Sequence, residues 1–167
     1  IHLRWSFRPE DVAKIDIRTY DLAVSGHDHT EIPGSYSAKM SIPYATAAGL
    51  IYGRAGLQEF SEEAVKDEKA LSLTRKITVS ADDQLSAAFP GIQAAVVTIH
   101  MKDGSAYTDR VDFPKGEPEN PLTDAEFRAR YDGLMDYAGV DAAARSAVYD
   151  LVEHEQAAQT NDLARLL

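Results

Sequence analysis

The sequence predicts an α+β domain: a mostly antiparallel sheet of about four strands, helices on one face and a helical C-terminus. Two observations lead to this class. Short segments with the apolar–polar alternation or β-propensity of strands are interspersed with, and then followed by, segments of helical periodicity. No regular strand–helix alternation with a glycine-rich turn is present, which argues against a nucleotide-binding doubly wound fold. At 167 residues, the chain is expected to be a single domain over residues 1–167.

The strands are predicted from local pattern. Residues 12–20 alternate apolar and polar side chains after the turn-forming residues 8–11. A short strand is expected at residues 76–80. Residues 94–113 are expected to form a β-hairpin, in which Asp103 and Gly104 make a two-residue turn with positive φ at both positions.

A helix rich in small residues is predicted over residues 42–53. Ser41 is a suitable N-cap, a proline at position 43 is tolerated in the first turn, and Gly53 ends the helix. Arg54, just past this helix, is expected to interact with its C-terminal dipole. Ser61 and Asp67 are candidate N-caps of two short helices, the second ending near Thr74.

The C-terminal region is predicted to be helical. After an irregular loop at residues 117–121, Thr123 and Glu126 form a capping-box pattern. The helix that follows has apolar residues at helical spacing and ends at Gly139. Asp141 is expected to cap a last helix that runs to about Gln156. Its inward residues are expected to be Val148, Leu151 and Val152.

Composition excludes several classes of function. The chain has 17 lysines and arginines against 27 aspartates and glutamates, a formal net charge of −10. Nucleic acids and anionic membranes both require a basic surface, so neither is an expected partner. The chain has no cysteine, which excludes disulfides and thiolate metal ligands and fits a reducing compartment. Because no apolar run approaches the roughly 20 residues that span a bilayer and no secretory signal is visible, a cytoplasmic protein is expected.

Tyr44 is the most informative residue. It lies in the first turn of the predicted helix and five residues after Lys39. The positive end of the helix dipole would lower the pKa of the phenol from about 10 and make it a better proton donor. A half-buried aromatic whose hydroxyl is satisfied locally fits the same spacing, and the residue pattern leaves both interpretations open.

Residues 38–67, AKMSIPYATAAGLIYGRAGLQEFSEEAVKD, resemble the C-terminal region of the MmgE/PrpD family, the 2-methylcitrate dehydratase-like proteins. Three other segments support the resemblance in the same order along the chain: FRPEDVAKIDIRTYDLAV before it, and VVTIHMKDGSAYTDRVDFPKG and GEPENPLTDAEFRARYDGL after it. The resemblance covers only the second half of a family member. It implies that this is the smaller α+β domain and that a large helical N-terminal domain is missing. The first residue, Ile1, favours the same view, because residues 1–4 are typical of a helix already under way.

The resemblance implies chemistry on a small di- or tricarboxylic acid. Dehydration, decarboxylation and epimerisation beside a carboxylate all pass through an enolate-like species, which needs a base, an acid and positive charge. On this basis Tyr44 is the candidate proton donor or acceptor and Lys39 an electrostatic anchor for the substrate. No cofactor and no metal are expected, and relatives suggest a homodimer. The sequence does not distinguish among methylcitrate-like, aconitate-like and iminodisuccinate-like substrates.

Two histidines precede this element. His27 and His29, two residues apart, could both face a metal, but no third ligand lies at a suitable spacing and no H-E-x-x-H motif is present. We therefore interpret them as candidate substrate-binding residues in a polar loop near the substrate entrance. The alternative to a catalytic role for the whole domain is a non-catalytic lid or a dimerisation or interaction module. A self-sufficient binder of small ligands is disfavoured by the nature of the first residue.

Overall fold

The structure is a computed structural model that describes residues 7–154. The contacts of the chain divide it into two compact units, Ile1–Asn120 and Pro121–Leu167, and each unit is described by itself. Whether both form the single domain expected from the length of the chain stays a prediction. Among the described residues, no helix combines the length and apolar character that crossing a membrane requires.

The first unit is built on a four-stranded sheet. Its strands are β1 (Val12–Thr19), β2 (Ile77–Ala81), β3 (Ala95–Met101) and β4 (Ala106–Val111). Their spatial order is β2-β1-β3-β4; β1 pairs parallel to β2 and antiparallel to β3, and β3 pairs antiparallel to β4. The predicted α+β class and the mostly antiparallel sheet are confirmed.

Five helices belong to this unit: α1 (Asp21–Val24), α2 (Ser35–Lys39), α3 (Ile42–Tyr52), α4 (Glu68–Thr74) and α5 (Asp83–Ala88). The predictions for α3 and α4 are confirmed, including the caps: the Ser41 hydroxyl accepts from the Tyr44 N–H at 3.1 Å, and the Asp67 carboxylate accepts from the Lys69 N–H at 2.9 Å. The helix expected after Ser61 is only a 3-10 turn, Ala64–Lys66. Sequence reasoning missed α1, α2 and α5, because four to six residues are too few to show a helical period.

The core lies on one face of the sheet. Side chains that alternate along the paired strands, such as Ile15, Ile77 and Ile99, point to this face and pack against Ala47 and Leu50 of α3 and Leu73 of α4. The opposite face is more polar and more exposed, except at Val96, which is buried with Leu85 and Ala94 in a small separate cluster. On this face the Asp16 carboxylate accepts hydrogen bonds from Lys14 at 2.7 Å and from His100 at 2.9 Å. This asymmetry is the expected signature of an antiparallel sheet covered by helices on one side.

The turn of the β3–β4 hairpin differs from the prediction. Lys102 and Asp103 occupy its centre, the Gly104 N–H donates to the Met101 carbonyl at 3.1 Å, and only Gly104 has positive φ, at 90°. The two-residue turn with two positive φ angles is therefore wrong. The Asp103 carboxylate accepts from both the N–H and the hydroxyl of Ser105, which favours a longer turn ending in one left-handed glycine.

The second unit contains α6 (Asp124–Tyr137) and α7 (Ala142–His154). The predicted capping box is present, with Thr123 and Glu126 bonding reciprocally. The Asp141 carboxylate accepts from the N–H groups of Ala143 and Ala144, as expected of a cap, and Gly139 has a positive φ of 72°. The predicted end of the last helix at Gln156 lies outside the described residues.

The apolar pattern of the second unit is only partly satisfied. Val148 is buried as predicted, and the Tyr131 hydroxyl donates to the Arg145 carbonyl at 2.6 Å. Val152, predicted to face inward, is 67% exposed, so this prediction is wrong. Large apolar side chains on α6 are also exposed, namely Phe127, Leu134 and Tyr137.

Candidate functional site

The N-terminus of α3 is enclosed by the loop that carries the two histidines. The Ile42 N–H donates to the His27 carbonyl at 2.9 Å, and the Ser41 hydroxyl donates to the His29 carbonyl at 2.7 Å. The Tyr44 N–H is taken by Ser41, and Pro43 has no N–H to offer. The donors at this end of the helix are therefore bonded to the chain itself.

Tyr44 lies inside the protein. Its side chain is 0% exposed, its hydroxyl donates to the Glu59 carbonyl at 2.7 Å, and its ring meets the edge of Phe60 at 5.4 Å between centroids. Burial raises the pKa of the phenol, and the charges of Asp67 and Glu59 raise it further. The predicted lowering of this pKa is wrong, because removal of water and nearby carboxylates outweigh the partial charge of a helix end whose donors are already occupied. A proton-transfer role for Tyr44 stays a prediction.

Glu59 is the residue that sequence reasoning missed. It is a buried carboxylate, 6% exposed, that accepts from Arg54 Nε at 2.7 Å and from the Gly56 N–H at 2.9 Å. Burial acts to raise the pKa of this carboxyl, but the bonds from Arg54 and Gly56 outweigh it and the net pKa is lowered. Arg54 thus pairs with Glu59 rather than with the carbonyl end of α3. The Arg54–Glu59 pair holds residues 53–60 together, and this segment covers the Tyr44 hydroxyl, which bonds to the Glu59 carbonyl.

Lys39 is the last residue of α2, two positions before the Ser41 cap. It is exposed and makes no hydrogen bond or ion pair with any residue of the described part. Two apolar neighbours on this short stretch are exposed as well: Tyr36 at 81% and Met40 at 39%. An ammonium group with no partner in the described residues and two exposed apolar side chains therefore lie in the short stretch that leads into α3.

The two candidate imidazoles are half-buried. His29 Nε2 lies 3.0 Å from the Ser37 hydroxyl and 3.2 Å from the Ser37 carbonyl, which ties the loop to α2. His27 Nδ1 is buried and has no hydrogen-bond partner within residues 7–154. The structure thus gathers His27, His29 and Lys39 around the start of α3, whereas the Tyr44 side chain points away into the core. In the described ranges, no three His, Asp or Glu side chains are grouped to hold a metal ion.

A tyrosine–carboxylate pair lies at the other end of α3, where Tyr52 is the last residue. The Tyr52 hydroxyl donates to the Asp67 carboxylate at 2.6 Å. This bond, together with the Lys69 N–H, lowers the pKa of Asp67, and burial and the same carboxylate raise the pKa of Tyr52. Asp67 therefore both caps α4 and anchors the end of α3.

The lowered pKa of Asp67 predicts an acid-sensitive stability. A carboxyl whose pKa is depressed on folding stabilises the folded state above its unfolded pKa of about 3.9, and this contribution is lost as the pH falls through the folded-state pKa. We expect Asp67→Asn, which keeps a capping oxygen, to be less stable than the parent by about 1 kcal/mol at pH 7 and nearly equal to it at pH 2. Urea unfolding across pH 2–7 measures this. A difference that does not change with pH would contradict the role of the charge.

Fold and site together define the class of protein. It is an α+β domain in which the loop of His27 and His29 encloses the capped start of α3, and Lys39, with no partner in residues 7–154, comes just before it. A model of the MmgE/PrpD C-terminal domain matches residues 1–154. The chain therefore belongs to this family, as the resemblance implied. An Aspergillus oryzae protein described as cis-aconitate decarboxylase-like protein oryM is 31% identical over 94 residues, which make up 56% of this chain and 19% of that protein. The match spans about a fifth of that relative's length.

Proposed function

We propose that this domain forms one wall of the active site of a lyase or isomerase that acts on a small di- or tricarboxylic acid. The chemistry is dehydration, decarboxylation or epimerisation through an enolate-like intermediate, and the active site in these 167 residues is incomplete. The family supports this class, and the Aspergillus relative, described as cis-aconitate decarboxylase-like, supports a tricarboxylate as substrate. The observation that carries the proposal is Lys39, which is exposed, has no charged partner among residues 7–154 and lies close in sequence to the exposed side chains of Tyr36 and Met40.

Lys39 is the proposed anchor for a substrate carboxylate. The chain as a whole carries a charge of −10 and repels a polyanion, so binding depends on local cations. Because the ammonium group of Lys39 has no ion pair within residues 7–154, no such pair must be broken before it binds a carboxylate. The loop of His27 and His29 contributes polar groups to the same end of α3, and the unpartnered Nδ1 of His27 is available to a group brought by substrate or by the rest of the protein.

The other half of the site is proposed to come from a helical domain outside this chain, in a cytoplasmic homodimer. Exposed apolar side chains support a covering partner in both units: Leu22, Tyr36 and Leu57 in the first, and Phe127, Tyr137 and Val152 in the second. The remaining acid, base and cationic groups would belong to that partner domain.

The second candidate function is a non-catalytic lid or interaction module of the same enzyme. The burial of Tyr44 favours it, because a sealed hydroxyl cannot reach a substrate in this arrangement. In this alternative, Lys39 and the exposed apolar residues contact another part of the protein rather than the substrate.

Lys39→Gln in the full-length protein tests the choice between these functions. We expect kcat/KM for cis-aconitate to fall about 10–100-fold, mainly through KM, because a hydrogen bond between charged groups contributes about 1.5–3 kcal/mol. Steady-state kinetics over a range of salt concentrations measure it, and the loss should shrink at high salt.

Lys66→Gln is the matched control, since Lys66 is also exposed and its replacement changes the net charge equally. Equal kinetics for the two variants would favour the non-catalytic lid. The 167-residue chain, assayed beside the full-length protein, is expected to turn over nothing. Full activity in the chain alone would contradict the incomplete active site.

A further inference from the structure

A cavity of about 720 Å³ opens at the end of the first unit opposite the histidine loop. Its apolar lining comes from Ile51 in the last turn of α3 and Leu73 of α4, and its edge includes Pro9 and Lys102, which lie just before β1 and just after β3. This volume lies within the range of pockets for small molecules, about 300–1,000 Å³. Tyr44 and Ile51 are about two helical turns apart along α3, so the cavity is distinct from the candidate site.

Three lysines line this cavity: Lys69, Lys76 and Lys102. Lys76 Nζ donates to the Val12 carbonyl at 3.0 Å, which fixes its position and leaves its other N–H groups unused by the described residues. The ammonium groups of Lys69 and Lys102 make no hydrogen bond or ion pair within residues 7–154; only their backbone N–H groups are bonded, to Asp67 and to the Asp11 carbonyl. The described arginines of this unit behave differently, because each pairs with a carboxylate: Arg8, Arg18, Arg54, Arg75 and Arg110.

Two glutamates also line the cavity, and they do not cancel its positive charge. Glu68 is engaged by Arg75, so that pair is close to neutral. Against the three ammonium groups stand the charge of Glu10 and that of Asp67, a carboxylate beside the cavity that interacts with Lys69. In a chain of net charge −10, this leaves a local excess of positive charge in a concave, partly apolar site where charge–charge interactions are less screened than on open surface.

We propose that this cavity binds a small organic polyanion, a polycarboxylate or a phosphate ester, as a second site separate from the proposed substrate wall. The three lysines supply the positive charge that attracts the negative groups of such a ligand. The apolar side chains of Ile51 and Leu73 accommodate a carbon skeleton, which distinguishes such a ligand from an inorganic anion. Because α3 and α4 both line the cavity and both support the candidate site, a bound ligand stabilises the elements on which that site depends.

Isothermal titration calorimetry on the 167-residue chain tests this proposal with citrate, phenyl phosphate and inorganic phosphate as probes. We expect saturable binding of citrate or phenyl phosphate, with inorganic phosphate weaker. The two organic probes distinguish a carboxylate site from a phosphate-ester site. Lys69→Gln combined with Lys102→Gln should weaken binding at least about tenfold. Both side chains are exposed, so these replacements leave the fold intact.

Lys66→Gln combined with Lys115→Gln is the matched control, as these two exposed lysines do not line the cavity and the change in net charge is the same. The control should bind like the parent. Absence of saturable binding for both organic probes, or equal weakening in both double variants, would overturn the proposal. The kinetics of Lys39→Gln do not affect this outcome, so failure here is distinguishable from failure of the proposed function.

Discussion

Replacing Tyr44 by alanine is expected to lower the free energy of unfolding of the first unit by about 3–5 kcal/mol. The ring is fully enclosed, in a cluster that includes Ala38, Ala48, Val65 and Ala70, where small neighbours cannot expand to fill the space it leaves. Removal of the ring also leaves the Glu59 carbonyl without its donor. Urea unfolding of the 167-residue chain, followed by circular dichroism, measures the loss.

Tyr44→Phe distinguishes the contribution of the ring to stability from that of the hydroxyl. It keeps the packing and deletes one buried hydrogen bond, so we expect a loss of only about 1 kcal/mol. The same variant in the full-length protein tests proton transfer. If the phenol is structural, kcat changes little; if it transfers a proton, kcat falls by about 10² or more. If kcat falls by that much while stability changes little, Tyr44 has a catalytic role. A loss of stability below about 1 kcal/mol in Tyr44→Ala would contradict the buried packing itself.

The second large effect is expected at Glu59. Glu59→Gln keeps the shape of the side chain but removes the charge that binds Arg54 and the Gly56 N–H. Hydrogen bonds to charged groups contribute about 1.5–3 kcal/mol each to stability. Removing the buried charge also removes its desolvation penalty, which offsets part of this loss. We therefore expect a net loss of about 2 kcal/mol, concentrated in residues 53–60.

Hydrogen exchange is the appropriate measurement, because it reports this segment separately from the rest of the unit. Glu63→Gln is the control, since Glu63 is an exposed residue close by whose carboxylate makes no hydrogen bond among the described residues. Faster exchange at Gly56 and Phe60 in Glu59→Gln, but not in Glu63→Gln, is the expected result. Equal exchange in both variants would mean that Glu59 does not hold the segment over Tyr44.

The order of secondary structure was predictable wherever one local rule dominates. The alternation in β1 and the caps at Ser41, Asp67 and Thr123 each depend on residues within a few positions of one another, and the structure confirms them. The turn at Gly104 was missed, because the choice between turn types depended on the bonds that Asp103 makes to Ser105. On α7 the burial of Val148 was predicted correctly but that of Val152 was not, because helical spacing does not tell how far along a helix its partner extends.

The candidate site also has features that the sequence could predict and features that it could not. The sequence suggested Lys39 and Tyr44 because residues 38–67 resemble the family, and the two histidines because they lie in a polar loop just before; their roles stay predictions. The direction of the Tyr44 side chain and the presence of a buried Glu59 could not be predicted, because they depend on how residues 53–60 fold back over α3. No periodicity distinguishes a glutamate that will be buried beside an arginine from one that will face solvent.

By itself, the sequence determined the fold class, the family, the positions of the capped helices and the acidic character of the chain, all of which follow from local pattern and composition. Only the tertiary structure decided that the Tyr44 phenol is enclosed with a raised pKa, that Arg54 binds Glu59, and that three lysines from separate parts of the chain line one cavity. The physical reason is that desolvation and charge pairing depend on distances in space, which local pattern does not give even for residues as close in sequence as Arg54 and Glu59. Those distances are set by packing against the sheet.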